Sequence, residues 1–326
     1  MRIVVLDDYQ DAFRTLSCFP RLAGHEVRVF HDTVKEPAAL AARLEHADAA
    51  LLIQQRSALP RAVVERLPGL RLVSQTGRNV GHIDLDACTE RGVVVSAGGA
   101  GSPSATAELA WGLILAALRH IPQEAERLKS GLWLGSLGTG VAEKTLGVYA
   151  YGRIGSLVAA VGRAFGMRVV CFGRAGSTAR AREAGFAVAE SREAFFAQAD
   201  VLSLHLPLNA ETHGLVTADD LARMKSTALL INTSRAQIIA PGALAAALDR
   251  GRPGFAAVDV YEDEPVLGAN HPLIGKPNAL CTPHLGYVER GTYEALFGVA
   301  VDQILAFAAG QPINVVNPAA LVGRSA

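Results

Sequence analysis

The sequence predicts an α/β fold of two doubly wound parallel sheets around a cleft, and three observations carry that prediction. Short β-branched runs alternate with Ala-rich stretches, the alternation is played out twice, and one glycine turn joins a strand directly to a helix. Strand, helix and parallel strand make a βαβ unit, whose sheet is covered on both faces and reads as continuous apolar runs. At 326 residues the chain exceeds one comfortable core, so two domains are expected.

In the first series the strands are expected at Arg2–Leu6, Glu26–Phe30, Ala49–Ile53, Arg71–Ser74 and Val93–Ser96, with helices over Pro37–His46 and Pro60–Leu67. The glycine-dense Ala97-Gly98-Gly99-Ala100-Gly101 then hands the chain to Ser102-Pro103, a suitable N-cap and first helical position. A long apolar helix is expected from Ala105 to Ile121, followed by an irregular Gly-rich arm from Gly131 to Val141. The second series opens at Thr145–Tyr149 and continues with strands at Arg168–Phe172, Val201–Leu204, Ala228–Ile231, Ala256–Val258 and Ala279–Cys281. A last long helix spans Val288 to Ala309. Two long helices flanking the second series imply that one unit is inserted into the other.

Composition narrows the function. The chain has 31 Lys+Arg and 31 Asp+Glu, a net charge of zero, so no positive field steers it onto nucleic acid or an anionic membrane. A small molecule is the expected partner. Half the residues are hydrophobic and 19% are charged, which excludes general disorder. Cys18, Cys88, Cys171 and Cys281 lie far apart, in no pattern that suits a disulfide framework or a zinc site. The apolar start at Met1–Leu6 is too short for a signal peptide, and no stretch approaches the ~20 apolar residues of a membrane span. A cytoplasmic location is expected.

The strand at Leu146–Tyr149 runs into Ala150-Tyr151-Gly152-Arg153-Ile154-Gly155 and then a helix through Phe165. That order sets backbone N–H groups and a helix N-terminus against a pyrophosphate. Ala150 stands where the dinucleotide fingerprint has its first glycine, and it can make the turn if its φ stays negative. Gly152 and Gly155 hold the places of close backbone approach and helix–strand packing. Beyond the next strand, Gly173 offers no carboxylate to a ribose 2′-hydroxyl and Arg174 puts a cation beside it, with Ser177, Thr178, Arg180 and Arg182 close behind. These residues suit a 2′-phosphate, so NADP(H) is preferred over NAD(H). The same residues also suit a plain solvated basic helix.

Three motifs downstream carry a family resemblance. They are Asn232-Thr233-Ser234-Arg235, Asp259-Val260-Tyr261-Glu262-Asp263-Glu264-Pro265 and Thr282-Pro283-His284-Leu285-Gly286, each just past an expected strand. With Lys144-Thr145-Leu146-Gly147 and Leu204-His205-Leu206-Pro207-Leu208, the chain resembles the D-isomer-specific 2-hydroxyacid dehydrogenases from about Leu51 to Asn317-Pro318. Any one of these residues alone reads as a turn, a cap or a surface group; the ordered set does not.

The resemblance implies reversible reduction of a 2-keto acid to a D-2-hydroxy acid, with Arg235, Glu264 and His284 as the catalytic residues. Hydride arriving at a keto carbon leaves charge on oxygen, so a proton donor is needed, and imidazole titrates near working pH. Glu264 pairs with His284 and favours its imidazolium, while Arg235 holds the substrate carboxylate through a planar fork of donors. The resemblance further sets Asp259, Thr233 and Ser234 beside the nicotinamide, and His205 and Pro207 on the adenine side. Arg56, Ser57, Gly77, Arg78 and Asn79 match the family's substrate loops. There the family pattern G-x-G-x-D-N-I-D is replaced by Gly77-Arg78-Asn79-Val80-Gly81-His82-Ile83-Asp84, which either forms an extra anion site or reshapes a surface loop. Residues 1–100 plus 287–326 become a flavodoxin-like substrate domain and 101–286 the cofactor domain. A homodimer built through the Ala105–Val141 arm, no metal, and no regulatory domain after Asn317-Pro318 are also expected. Formate dehydrogenase, a dinucleotide-sensing corepressor without turnover and an S-adenosylmethionine methyltransferase are the rival readings, and the Arg/Glu/His set speaks against the first and third.

Overall fold

The computed structural model describes residues 1–99 and 101–322; Ala100 of the glycine-dense stretch and residues 323–326 lie outside it. The chain divides into two compact units, one of Met1–Ser102 with Val288–Ala326 and one of Pro103–Tyr287. The second unit therefore lies between two segments of the first.

The first unit runs β1 (Arg2–Val5), β2 (Glu26–Val29), α1 (Pro37–Leu44), β3 (Ala49–Leu52), α2 (Arg61–Val64), β4 (Leu72–Thr76), α3 (Leu85–Glu90) and β5 (Val94–Gly98). Its five strands are all parallel, in the order β2-β1-β3-β4-β5. Burial explains the register. β3 and β4 are buried at every position, as central parallel strands covered on both faces must be, and the edge strand β5 is buried as well. α1 starts at Glu36, whose carboxylate accepts from the N–H groups of Ala38 and Ala39, with Pro37 at the first helical position.

The second unit begins with α4 (Pro103–Leu118) and α5 (Ile121–Lys129). One helix was expected from Ala105 to Ile121, but the turn breaks at His120, which takes a left-handed φ of 52°. Pro122 is the reason: it has no N–H for the Leu118 carbonyl, and its ring would collide with it. The unit continues through β6 (Thr145–Tyr149), α6 (Arg153–Ala164), β7 (Arg168–Phe172), α7 (Ala175–Glu183), β8 (Ala187–Val188), α8 (Arg192–Gln198) and β9 (Val201–Leu204). It closes with α9 (Ala218–Arg223), β10 (Leu229–Asn232), α10 (Ala243–Asp249), β11 (Phe255–Val258) and β12 (Ala279–Cys281). The seven strands pair in parallel in the order β12-β11-β10-β9-β6-β7-β8. Phe195, Phe196, Leu202 and Leu230 fill one face of this sheet; Trp111, Ile114, Leu146 and Val158 fill the other. β8 escapes the sequence because two residues carry no readable alternation.

The chain then returns to the first unit as α11 (Arg290–Ala308) and α12 (Ala319–Val322). α11 packs on the five-stranded sheet: Phe297 stacks on Phe13 at 5.0 Å, and the Ser74 hydroxyl donates to the Ala300 carbonyl. Asn317 ties the tail to β5, accepting from Val95 N–H at 2.7 Å and donating to the Val93 carbonyl at 2.9 Å. Between Pro60 and Leu67 only Arg61–Val64 is helical.

Candidate functional site

Strand order locates the site in the second unit. Open α/β sheets bind ligands beyond the carboxyl ends of the strands, where the strand order reverses. Here that reversal lies between β6 and β9. The loop after β6 is Ala150–Gly155, and the residue after β9 is His205.

The glycine turn is tightly built. Ala150 takes φ +75°, so the expectation of a negative φ at this residue is corrected: the turn needs the left-handed conformation and Ala150 bears the strain that a glycine would avoid. Gly155 is obligatory, because a Cβ there would lie 2.3 Å from the Ala150 carbonyl oxygen. A Cβ on Gly152 would meet nothing within 4 Å, so the backbone is open to a close-lying ligand. Arg153, Ile154 and Gly155 head α6, and their N–H groups have no partner within the helix. An open backbone at Gly152 beside a helix N-terminus fits the pyrophosphate of a dinucleotide.

Around this turn the residues of α7 have other work. The Tyr151 N–H donates to Ser177 Oγ at 2.7 Å, Arg180 donates to the Tyr151 carbonyl, and Thr178 donates to the Ala175 carbonyl. Of the group expected to meet a phosphate, Ser177, Thr178 and Arg180 are thus engaged inside the unit. Gly173 has φ +152°, a conformation that other residues rarely adopt, and a Cβ there would lie 3.1 Å from Ser177 Oγ, so a carboxylate side chain at this residue would be strained. Arg174 is exposed and forms an ion pair with Glu211, a partner 37 residues away that no sequence pattern announced.

Beyond β10, β11 and β12, three adjacent strands, stand Arg235, Glu264 and His284. His284 Nδ1 and Glu264 Oε2 are 2.5 Å apart, and both side chains are 26% exposed. Their loops are locked locally. The Glu264 Oε1 accepts from the Tyr261 N–H at 2.8 Å. Asp259, fully buried, accepts from Thr282 Oγ1, Leu285 N–H and Gly286 N–H, which spans both sides of His284. Burial pushes the Asp259 carboxyl above the usual carboxylate range. Thr106 Oγ1 also donates to the Gly286 carbonyl. His284 itself has φ +53°, and its ring meets Tyr287 edge-on at 5.4 Å.

Arg235 donates to the carbonyl of Ser234, whose hydroxyl donates to Leu204, and Asn232 bridges Ser234 N–H and the Arg235 carbonyl. The geometry therefore brings Glu264 and His284 into contact and sets Arg235 on the neighbouring loop. Thr233 is buried, and its hydroxyl finds no partner among the described residues. Neither ring nitrogen of His205 finds one either, and burial pushes this imidazole down to about 4. Pro207 is exposed, its carbonyl accepting from Thr212 Oγ1.

The five remaining expected residues belong to the first unit. Arg56 and Ser57 follow β3; Gly77, Arg78 and Asn79 follow β4. Arg56 donates to the Asp7 carbonyl at 2.7 Å and to the Tyr293 hydroxyl at 3.2 Å, and lies over the Tyr9 ring. Gly77 takes φ +85° and donates to the Gly98 carbonyl. Arg78 and Asn79 are exposed, and Asn79 Oδ1 accepts from Gly81 N–H. His82, whose buried ring nitrogens find no partner among the described residues, is pushed down to about 4 by burial. Tyr293 was missed by sequence reasoning, because its only link to Arg56 is through space. Among the described residues no helix is long and apolar enough to cross a membrane, and no group of His, Cys, Asp and Glu could hold a metal ion.

Comparison with known proteins agrees with this architecture. Residues 111–286 match the D-isomer specific 2-hydroxyacid dehydrogenase, NAD binding domain. A glyoxylate reductase of Aeropyrum pernix is 38% identical over 265 residues, 78% of each chain. A D-3-phosphoglycerate dehydrogenase of Bacillus subtilis is 35% identical over 82% of this chain, which spans only 51% of that longer relative. The solved structure of a phosphoglycerate oxidoreductase from Vibrio cholerae superposes with a TM-score of 0.91 at 45% identity, covering 95% of this chain and 99% of that one. A dinucleotide turn at the strand-order reversal, continuous with the residues this match covers, leaves one conclusion: the chain belongs to the D-isomer-specific 2-hydroxyacid dehydrogenase family, NAD(P)-dependent oxidoreductases of 2-keto and 2-hydroxy acids.

Proposed function

We propose that this enzyme interconverts a small 2-keto acid and its D-2-hydroxy acid, with His284 passing the proton, Glu264 orienting it and Arg235 binding the substrate carboxylate. The observation that carries the reading is the His284–Glu264 hydrogen bond at 2.5 Å, formed between loops beyond two neighbouring strands. A bound nicotinamide dinucleotide supplies the hydride. His284 Nδ1 faces Glu264, so the Nε2 edge is the one that serves substrate oxygen, and the carboxylate holds the ring in that orientation. Arg235 presents a planar donor fork suited to a carboxylate. The fixed loops order these groups before substrate arrives, which lowers the reorganisation cost of the reaction.

The second unit is the cofactor domain in this reading, and the first is the substrate domain, with Arg56, Ser57, Gly77, Arg78 and Asn79 at its strand ends. Gly152, Arg153 and Ile154 serve the pyrophosphate; His205, Pro207, Thr233, Ser234 and Asp259 border the rest of the dinucleotide. The lack of a carboxylate at Gly173 and the cation at Arg174 favour NADP(H) over NAD(H). Relatives named glyoxylate reductase, hydroxypyruvate reductase and D-3-phosphoglycerate dehydrogenase support a short, polar substrate. The enzyme works as a homodimer in the cytoplasm.

The test is loss of 340 nm absorbance with NADPH and with NADH across glyoxylate, hydroxypyruvate, phosphohydroxypyruvate, pyruvate and bulkier 2-keto acids. Turnover of the short acids, faster with NADPH, is expected. Tight cofactor binding with no turnover of any acid would overturn the reading in favour of a dinucleotide-sensing protein.

A further inference from the structure

We infer that Glu211 sets the discrimination between NADPH and NADH by competing with the cofactor's 2′-phosphate for Arg174, an inference that rests on the reading of Arg174 as the phosphate's partner. Three features of the second unit carry it. Gly173 lacks the acidic side chain that would otherwise reject a 2′-phosphate, and its φ of +152° disfavours one. Arg174 is the N-cap residue of α7, and its guanidinium reaches out to the Glu211 carboxylate. Glu211 is placed there by a built turn beyond β9: Asn209 Oδ1 accepts from the N–H groups of Glu211 and Thr212, and Thr212 Oγ1 donates to the Pro207 carbonyl.

The two side chains are 67% and 73% exposed, so the pair contributes little to folding and is readily exchanged. A 2′-phosphate carries nearly two negative charges and makes stronger charge-assisted bonds to a guanidinium than one carboxylate does. To bind there it must displace Glu211 and then endure its repulsion. NADH brings only a neutral 2′-hydroxyl, so Glu211 stays on Arg174 at no cost. The carboxylate that position 173 lacks is in effect delivered from a neighbouring loop, and it holds down a preference for NADPH that Arg174 alone would make strong.

Cofactor fluorescence titrations of the wild type, E211Q, R174A and the double variant test this, with Kd measured for NADPH and for NADH. E211Q is expected to tighten NADPH by about fivefold or more and to change NADH less than twofold, with the gain lost in the R174A background. An unchanged Kd ratio in E211Q, or an equal gain without Arg174, overturns the inference. If R174A binds NADPH as tightly as the wild type, the phosphate reading of Arg174 falls and the inference with it. A weakened R174A with an unchanged E211Q ratio sinks the Glu211 inference alone.

Discussion

Asp259 holds the backbone on both sides of His284: its buried carboxylate accepts from Thr282 Oγ1 at 2.6 Å, Leu285 N–H at 2.7 Å and Gly286 N–H at 2.8 Å. The imidazole therefore stands on a loop with little freedom of its own. D259A leaves three donors without an acceptor and should cost about 3 kcal/mol of stability. D259N, keeping one acceptor oxygen, should cost less. Urea denaturation of both variants checks this, and a D259A stability equal to that of the wild type would refute the role.

Removing either member of the His284–Glu264 pair should affect chemistry before binding. H284A is expected to lower kcat by about 10³ and E264Q by about 10², with the Kd for the reduced cofactor within twofold of the wild type. Steady-state kinetics with parallel fluorescence titration separate the two effects. A kcat near the native value in H284A would end the assignment.

The glycine turn gives opposite outcomes at its two ends. Ala150 sits at φ +75°, so A150G should stabilise the fold by about 0.5–1 kcal/mol, the relief of strain exceeding the added chain entropy. Gly155 has the Ala150 carbonyl 2.3 Å from where a Cβ would lie. G155A should destabilise by about 2 kcal/mol or more and abolish dinucleotide binding. Thermal unfolding and titration with the reduced cofactor read both.

Acid stability should depend on His205. Burial pushes its imidazole from 6.5 to about 4, so the folded chain stays unprotonated where the unfolded chain takes a proton. The stabilisation is complete above pH 6.5 and is lost as the pH falls toward 4, up to about 3 kcal/mol. Asp7 and Asp259, both raised by burial, act in the opposite sense, so the difference between the wild type and H205Q isolates the histidine. H205Q should show a flatter loss of stability between pH 6.5 and 4; identical curves would contradict this.

The arm beyond α5 exposes Trp133 (78%), Leu134 (75%) and Leu137 (95%). In the proposed homodimer these apolar side chains are the expected contact surface. Sedimentation equilibrium should find a dimer, and W133E/L137E should shift it to monomer. A monomeric wild type would refute the homodimer.

The sequence by itself determined the two α/β series, the dinucleotide turn and the three motifs carrying Arg235, Glu264 and His284. These are legible because strand burial and glycine geometry restrict residue type at a fixed local spacing, and each of the three motifs is a short run just past a strand. Tertiary structure alone decided what crosses large sequence separations: Glu211 on Arg174, Tyr293 on Arg56 and Asp259 beneath the His284 loop. It also decided the φ of Ala150 and the break at His120. A side chain records what its own backbone needs, whereas a partner tens or hundreds of residues away is chosen by the path of the chain, which only the packed sheets fix.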